Sequence, residues 1–150
     1  MDKVQVIHAV EDWQRKAAFA IREAVFITEQ RIDPSVDFDG LDDQADHMLA
    51  TQAGHAVGTL RLRTIGDGTA KIERVAVLKS ARGQAIGAAM VDAALHHLRL
   101  SGFREAKLHA QTHTLDFYAK HGFVAFGEDF DEDGIPHRAM RLDLTAEALP

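Results

Sequence analysis

One stretch limits what this chain can fold into more than any other: residues 70–100. Ala70 to Leu78 has the alternation of a strand, and Ala85 to Leu100 is rich in Ala, Leu and Met, free of proline and closed by Ser101-Gly102, as a helix is. Between them lies Lys79-Ser80-Ala81, then Arg82-Gly83-Gln84-Ala85-Ile86-Gly87. A strand must therefore enter a long helix through a turn of small residues. Such a turn exposes backbone N–H groups with no partner inside the helix, and the helix dipole adds positive potential there. The result is an anion site suited to a pyrophosphate. Small side chains at Gly83, Ala85 and Gly87 let oxygens approach the backbone, and Arg82 adds charge at the rim. Two better-known phosphate loops are excluded. There is no Gly-Lys-Ser/Thr, and the turn follows an antiparallel meander instead of opening a parallel sheet. A helix that begins with glycines for close packing is the other reading of the same residues.

Around that segment the elements fall into order. Val4 to His8 reads as a first strand. Asp12 is expected to cap a helix from Trp13 to about Phe26, with Trp13, Ala17, Ala20, Ile21 and Ala24 on its inner face. The polar stretch holding Asp33-Pro34 and Asp37 to Asp46 reads as a loop with one short helical turn. His47 to Ala53 and Ala56 to Ile65 form a hairpin about Gly54, and Gly66-Asp67-Gly68 turns the chain into the third strand of a meander. After the long helix come a strand at Lys107 to Ala110, a short helix at Leu115 to Lys120 stopped by Gly122, and a strand at Phe123 to Phe126. Asp131 to Gly134 then turns into a last strand at His137 to Leu142. The order predicts an α+β fold: a mixed, mostly antiparallel sheet flanked by helices, in one domain spanning 1–150.

Composition removes several functions. With 17 Lys+Arg against 23 Asp+Glu, the net charge of −6 argues against nucleic acid as a partner. Cysteine is absent, so thiolate nucleophiles and cysteine-zinc sites drop out. No apolar run reaches the length of a membrane span, and the start shows no basic leader; a cytoplasmic protein is expected. The nine histidines do not make a metal site: His109 and His113 straddle a strand-to-loop change, and His96-His97 point apart on a helix. Asp37-x-Asp39-Gly40 with Asp42 and Asp43 has its glycine too early for a calcium loop. It reads as a solvated acidic loop whose charge could draw a cationic amine.

With these residues in hand, the chain resembles the GNAT family of N-acetyltransferases, over essentially its whole length. Arg82, Ala85 and Gly87 match the family's Arg/Gln-x-x-Gly/Ala-x-Gly/Ala turn. Arg74-Val75-Ala76-Val77 is similar to the strand that pairs with the pantetheine arm, and Phe117-Tyr118-Ala119-Lys120-His121-Gly122-Phe123 to the block near the acyl group. Arg22 to Gln30, His47 and Asp133-Gly134-Ile135-Pro136-His137 resemble the ElaA-like branch, whose acceptors are poorly defined. Two departures stand out: Ala85 where many members have Gly, and Gln111 where many have an Asn.

The resemblance implies acetyl-CoA as co-substrate, with no metal. Val75, Ala76, Val77, Arg82, Gly83, Gln84, Ala85, Ile86, Gly87, Ala88, Gln111 and Phe117 would bind it. The implied reaction is transfer to a small-molecule primary amine by direct attack in a ternary complex, with Tyr118 as general acid to the CoA thiolate. Glu29 and His47 are expected at the amine site, against readings as a helix cap and a buried histidine; Glu73 is the strand carboxylate that could act as base. His137 reads equally as an edge-strand residue. A homodimer is allowed for. The competing functions are a non-catalytic module that binds or senses CoA, and an interaction domain with no ligand.

Overall fold

In the computed structural model, which describes residues 3–145, a seven-stranded sheet runs in the order β1-β2-β3-β4-β5-β7-β6. The ends of the 1–150 domain and the first two positions of the chain lie outside the described residues. The strands are β1 (Val4–His8), β2 (Asp46–Gln52), β3 (His55–Gly66), β4 (Thr69–Val77), β5 (Glu105–Gln111), β6 (Val124–Glu132) and β7 (Ile135–Asp143). Every pairing is antiparallel except β4 with β5, which are joined across α3 (Ile86–Leu100). The expected α+β class and element order are what the chain adopts.

Helix α1 (Asp12–Arg22) differs from expectation in three respects. Its N-cap is Glu11, whose backbone N–H donates to Gln14 Oε1 at 2.9 Å. It does not end at Phe26 but opens at Glu23 into a wider π-helix to Glu29, closed by Gln30 N–H donating to Val25 O at 3.0 Å. Its buried face is Ala18, Ile21, Arg22 and Val25, while Trp13 is 57% exposed. Hydrophobicity alone rejects an inward arginine; the partners that make burial affordable, Asp37 and Asp42, are fifteen and twenty residues on.

α1 and the π-helix cover β2–β4 on one face, where Ile21, Val25 and Phe26 meet Leu49 and Ala76. α3 and α4 (Leu115–Ala119) cover the other face, over a core including Leu60, Ile72, Met90, Leu98, Leu108 and Met140. Burial of each such side chain favours folding by about 1.5–3 kcal/mol. α1 and the π-helix pack mainly against β2, β3 and β4, so the β5–β7–β6 half of the sheet is the less covered one.

The acidic loop is tied down. Arg22 Nε bonds Asp37 Oδ2 at 3.2 Å and its Nη1 bonds Asp42 Oδ1 at 2.7 Å. Arg61, wholly buried, bonds Asp39, Asp42 and Glu73 at 2.9–3.0 Å. Asp37, Asp39 and Asp42 therefore fasten the loop to α1 and β3 and do not offer free charge to an amine, contrary to the solvated-loop reading.

Candidate active site

β4 and β5 pair only where Thr69, Ala70 and Lys71 meet Glu105, Ala106 and Lys107. Beyond that point the two strands part. The cause is local: the β3–β4 register slips between Thr59 and Arg61, and Arg74 adopts a φ of 55°. A left-handed residue with a Cβ costs about 1 kcal/mol or more, and surrounding bonds must hold it. Here the Arg74 guanidinium reaches Asp37 Oδ1 at 3.2 Å and Val36 O at 3.1 Å.

The parted strands enclose a cavity of about 580 Å³. Its walls are Lys71–Val77 of β4, Leu108–Gln111 of β5, Glu29 and Gln30, Tyr118, and Glu132, Asp133 and His137 near the β6–β7 turn. A second cavity of about 280 Å³ adjoins it, lined by Val77, Arg82, Gly83, Ala85, Ile86, Gly87, Ala88 and Phe117. Val77 and Arg82 belong to both. One continuous slot thus runs from the head of α3 to the sheet's open half.

The turn at the head of α3 has the geometry of an anion cradle. Gly83 and Ala85 sit at φ of 82° and 59°, and the helix ladder opens with Ala89 N–H donating to Ala85 O at 3.1 Å. Amides ahead of Ala89 have no acceptor within the helix. Nothing lies within 4 Å of the position a Cβ would take at Gly83; at Gly87 that atom would meet Phe117 Cζ at 3.3 Å. The backbone is open for a pyrophosphate at one glycine and packed against the slot's floor at the other, so these residues fit CoA. Gln84 is turned away: its Oε1 accepts from Gln52 Nε2 at 2.9 Å, leaving only its backbone to the cradle.

Arg82 crosses the mouth. Its two Nη atoms hold both oxygens of Glu29 at 2.6 and 2.7 Å, and its Nε donates to Val77 O at 3.0 Å. The hydrogen bond from Arg82 lowers the Glu29 carboxyl, and the same contact raises the guanidinium. Glu29 therefore stands at the junction of the two cavities. Gln111 lines the larger one and donates to Gln30 Oε1 at 3.1 Å.

Tyr118 comes from α4, whose end is turned by Gly122 at φ 97°. It is 8% exposed, faces the larger cavity, and its hydroxyl has no hydrogen-bond partner among the described residues. Burial alone pushes the phenol up to about 12.

His47, expected at the amine site, and Glu73, expected as a base, are both committed to other partners. His47 is 4% exposed and lines neither cavity; its Nε2 donates to Asp42 O at 2.9 Å and its ring meets the Phe19 edge. It is a structural histidine. Glu73 lines the cavity, but Arg61, Arg63 and Lys71 hold its carboxylate at 3.0, 2.8 and 3.3 Å. Burial pushes this group up, yet the hydrogen bond from Arg63 and the charges of Arg61 and Lys71 prevail and bring it to about 2. A carboxylate so acidic and so bonded is a poor base. The sequence raised His109 and His137 separately but not Glu132, nor that β5, β6 and β7 gather the three together. Among the described residues no group could hold a metal ion, and no helix is long and apolar enough to cross a membrane.

This architecture has known counterparts. Residues 19–144 match the acetyltransferase (GNAT) domain family. The chain belongs to the GNAT family of acetyltransferases. Bacillus subtilis YjcF, an uncharacterized N-acetyltransferase, is 34% identical over 141 residues, 93% of this chain and 100% of that one. The crystal structure of Escherichia coli ElaA superposes with a TM-score of 0.81 at 30% identity, covering 94% of this chain and 99% of ElaA. An acyl-CoA N-acyltransferase from Pseudomonas aeruginosa superposes with a TM-score of 0.79 at 32% identity, covering 94% and 99%. GNAT acetyltransferases take their acyl group from acetyl-CoA.

Proposed function

We propose that this GNAT domain moves the acetyl group of acetyl-CoA to a primary amine, by direct attack while both substrates are bound. The observation that supports it best is the continuous slot: an anion cradle at one end, parted strands in the middle, and a titratable wall at the other. Amides of residues 83–88 and Arg82 would hold the pyrophosphate. Backbone groups of Val75, Ala76 and Val77, on the stretch of β4 that β5 leaves, would hold and orient the pantetheine arm with Gln111 and Phe117. An incoming pyrophosphate competes with Glu29 for Arg82, which would turn the freed Glu29 carboxylate toward the amine side.

Tyr118 is assigned as proton donor to the departing sulfur. Its phenol, at about 12, is neutral throughout the working range, and its hydroxyl is uncommitted. A CoA-type thiol ionises near 8.5, so the phenol stabilises the leaving thiolate mainly by a strengthening hydrogen bond, completed as the C–S bond breaks. A silent sensor of CoA would have no use for a buried hydroxyl at this point.

The test is turnover with acetyl-CoA against polyamines, amino sugars, amino acids and peptides, read by thiol release. Tyr118→Phe should lower kcat by about 10²–10⁴ with acetyl-CoA binding nearly intact. A folded variant keeping more than about half the wild-type kcat, with chemistry rate-limiting, removes the role. Binding without turnover across the whole panel would favour the sensing module.

A further inference from the structure

The β5–β7–β6 half of the sheet carries a second set of chemical groups. His109 lies on β5, His137 on β7 and Glu132 at the end of β6. Strand register puts them on one face: Gln111 is opposite His137, His137 opposite Phe130, and Glu132 two residues beyond Phe130. His137 is 7% exposed, and its Nδ1 sits 2.7 Å from Ile135 O. A carbonyl only accepts, so Nδ1 carries the proton and Nε2 is left as the acceptor nitrogen. That Nε2 faces Glu132 Oε2 at 3.5 Å. The other oxygen, Oε1, accepts from His109 Nδ1 at 3.1 Å, which fixes the carboxylate, and Phe130 packs against both rings. With His137 neutral, an imidazole lone pair and a carboxylate oxygen look at each other with no donor between them. A group bringing N–H bonds and positive charge satisfies both.

We propose that His137 Nε2 and Glu132 form the ammonium niche of this enzyme, His137 being the base that takes the acceptor's proton and Glu132 its positioning residue. The inference rests on the amine-transfer reading above. The acceptor's nitrogen gives one proton to His137 Nε2 and forms its bond to the thioester carbon. As the C–S bond breaks, Tyr118 passes its proton to the sulfur and is restored by the second nitrogen proton, leaving amide, thiol and the one proton released from His137. Glu132, beside Nε2, compensates the positive charge that forms on the ring, while Ile135 O behind it holds Nδ1–H and so orients the base. The surrounding titratable groups are His109 on β5, Asp131 and Asp133 at the β6–β7 turn, and His113 ahead of α4. Across the cavity on β4 stand Lys71 and Glu73, paired with each other at 3.3 Å.

The experiment uses the full chain, acetyl-CoA and the best amine of the panel, with kcat/KM followed against pH. His137→Ala should lose about 10²–10⁴ in kcat/KM and lose the acidic limb, because the base that must be deprotonated is gone. Its acetyl-CoA thermal shift should be unchanged, and added imidazole should restore part of the rate. Glu132→Gln, on a partly exposed side chain, should displace the same limb and cost about tenfold or more. A folded His137→Ala within threefold of wild type, or inactive with its limb in place and no imidazole rescue, overturns the proposal. If His137→Ala does not fold, a Glu132→Gln profile superposing on wild type overturns it. If the wild type acetylates no amine, the amine-transfer reading fails first and takes the niche with it; wild-type turnover with unaffected variants removes the niche alone.

Discussion

The two ends of the slot are built from different materials. The end at α3 is backbone: amides of residues 83–88, made reachable by Gly83, Ala85 and Gly87, with one side chain, Arg82, across the rim. The other end is side chain: Glu29, Lys71, His109, Glu132 and His137, brought from five separate elements. A backbone cradle of this kind would recognise what every acyl-CoA shares and would be intolerant of added atoms. A side-chain wall can be altered residue by residue while the sheet beneath it stands, which is how one fold accepts different amines.

Changes to the ion network that supports the wall should be the most disruptive to stability. Arg61 holds Asp39, Asp42 and Glu73 at the boundary between the acidic loop and β4. Arg61→Ala should cost about 3–5 kcal/mol in chemical denaturation, because three partly buried carboxylates lose a shared partner. A loss below 1 kcal/mol would mean that the network contributes nothing net and that the loop is held by other contacts.

Acid should act on the same network. Glu73 is held at about 2 against an ordinary value of 4.5, and its side chain is 8% exposed. A depressed carboxyl stabilises the fold above its unfolded value and loses that contribution as pH falls through the folded one. The window is therefore pH 4.5 down to about 2, with an effect on the order of 3 kcal/mol. Glu73→Gln should lower stability at neutral pH and flatten that part of the acid denaturation curve. An unchanged slope would place the acid-sensitive group elsewhere.

The cradle should respond to smaller changes. Ala85 occupies a left-handed conformation at φ 59°. Ala85→Gly relieves that strain, offset by glycine's freer unfolded chain, and should raise stability by up to about 1 kcal/mol. Acetyl-CoA affinity should hold or improve. A destabilised variant would show that the Ala85 methyl packs usefully.

The same contrast explains what the sequence disclosed. The cradle is legible because its residues are consecutive and its chemistry follows from small size and position before a helix. The strand order was legible for a related reason, since each turn is marked locally by Gly54, Gly66-Asp67-Gly68 or Asp133-Gly134. The π-helix and the bulge at Arg74 were not, because both are held by Asp37 and its loop, contacts invisible to local pattern. His47 and Glu73 looked reactive in isolation; partners five to twelve residues away make them structural. His137 could be read as an edge-strand residue because its grouping with Glu132 and His109 forms only when β5, β6 and β7 pair.

Thermal unfolding of wild type and Gly87→Glu with and without acetyl-CoA measures directly whether the backbone cradle at α3 holds the ligand. At acetyl-CoA about 100 times its Kd, the folded wild type should gain about 2.7 kcal/mol and a Tm rise of about 5–10 °C. Gly87→Glu, folded but with a carboxylate where the phosphates belong and a side chain driven toward Phe117, should show no shift. An equal shift in that variant would contradict the cradle and the acetyltransferase mechanism built on it.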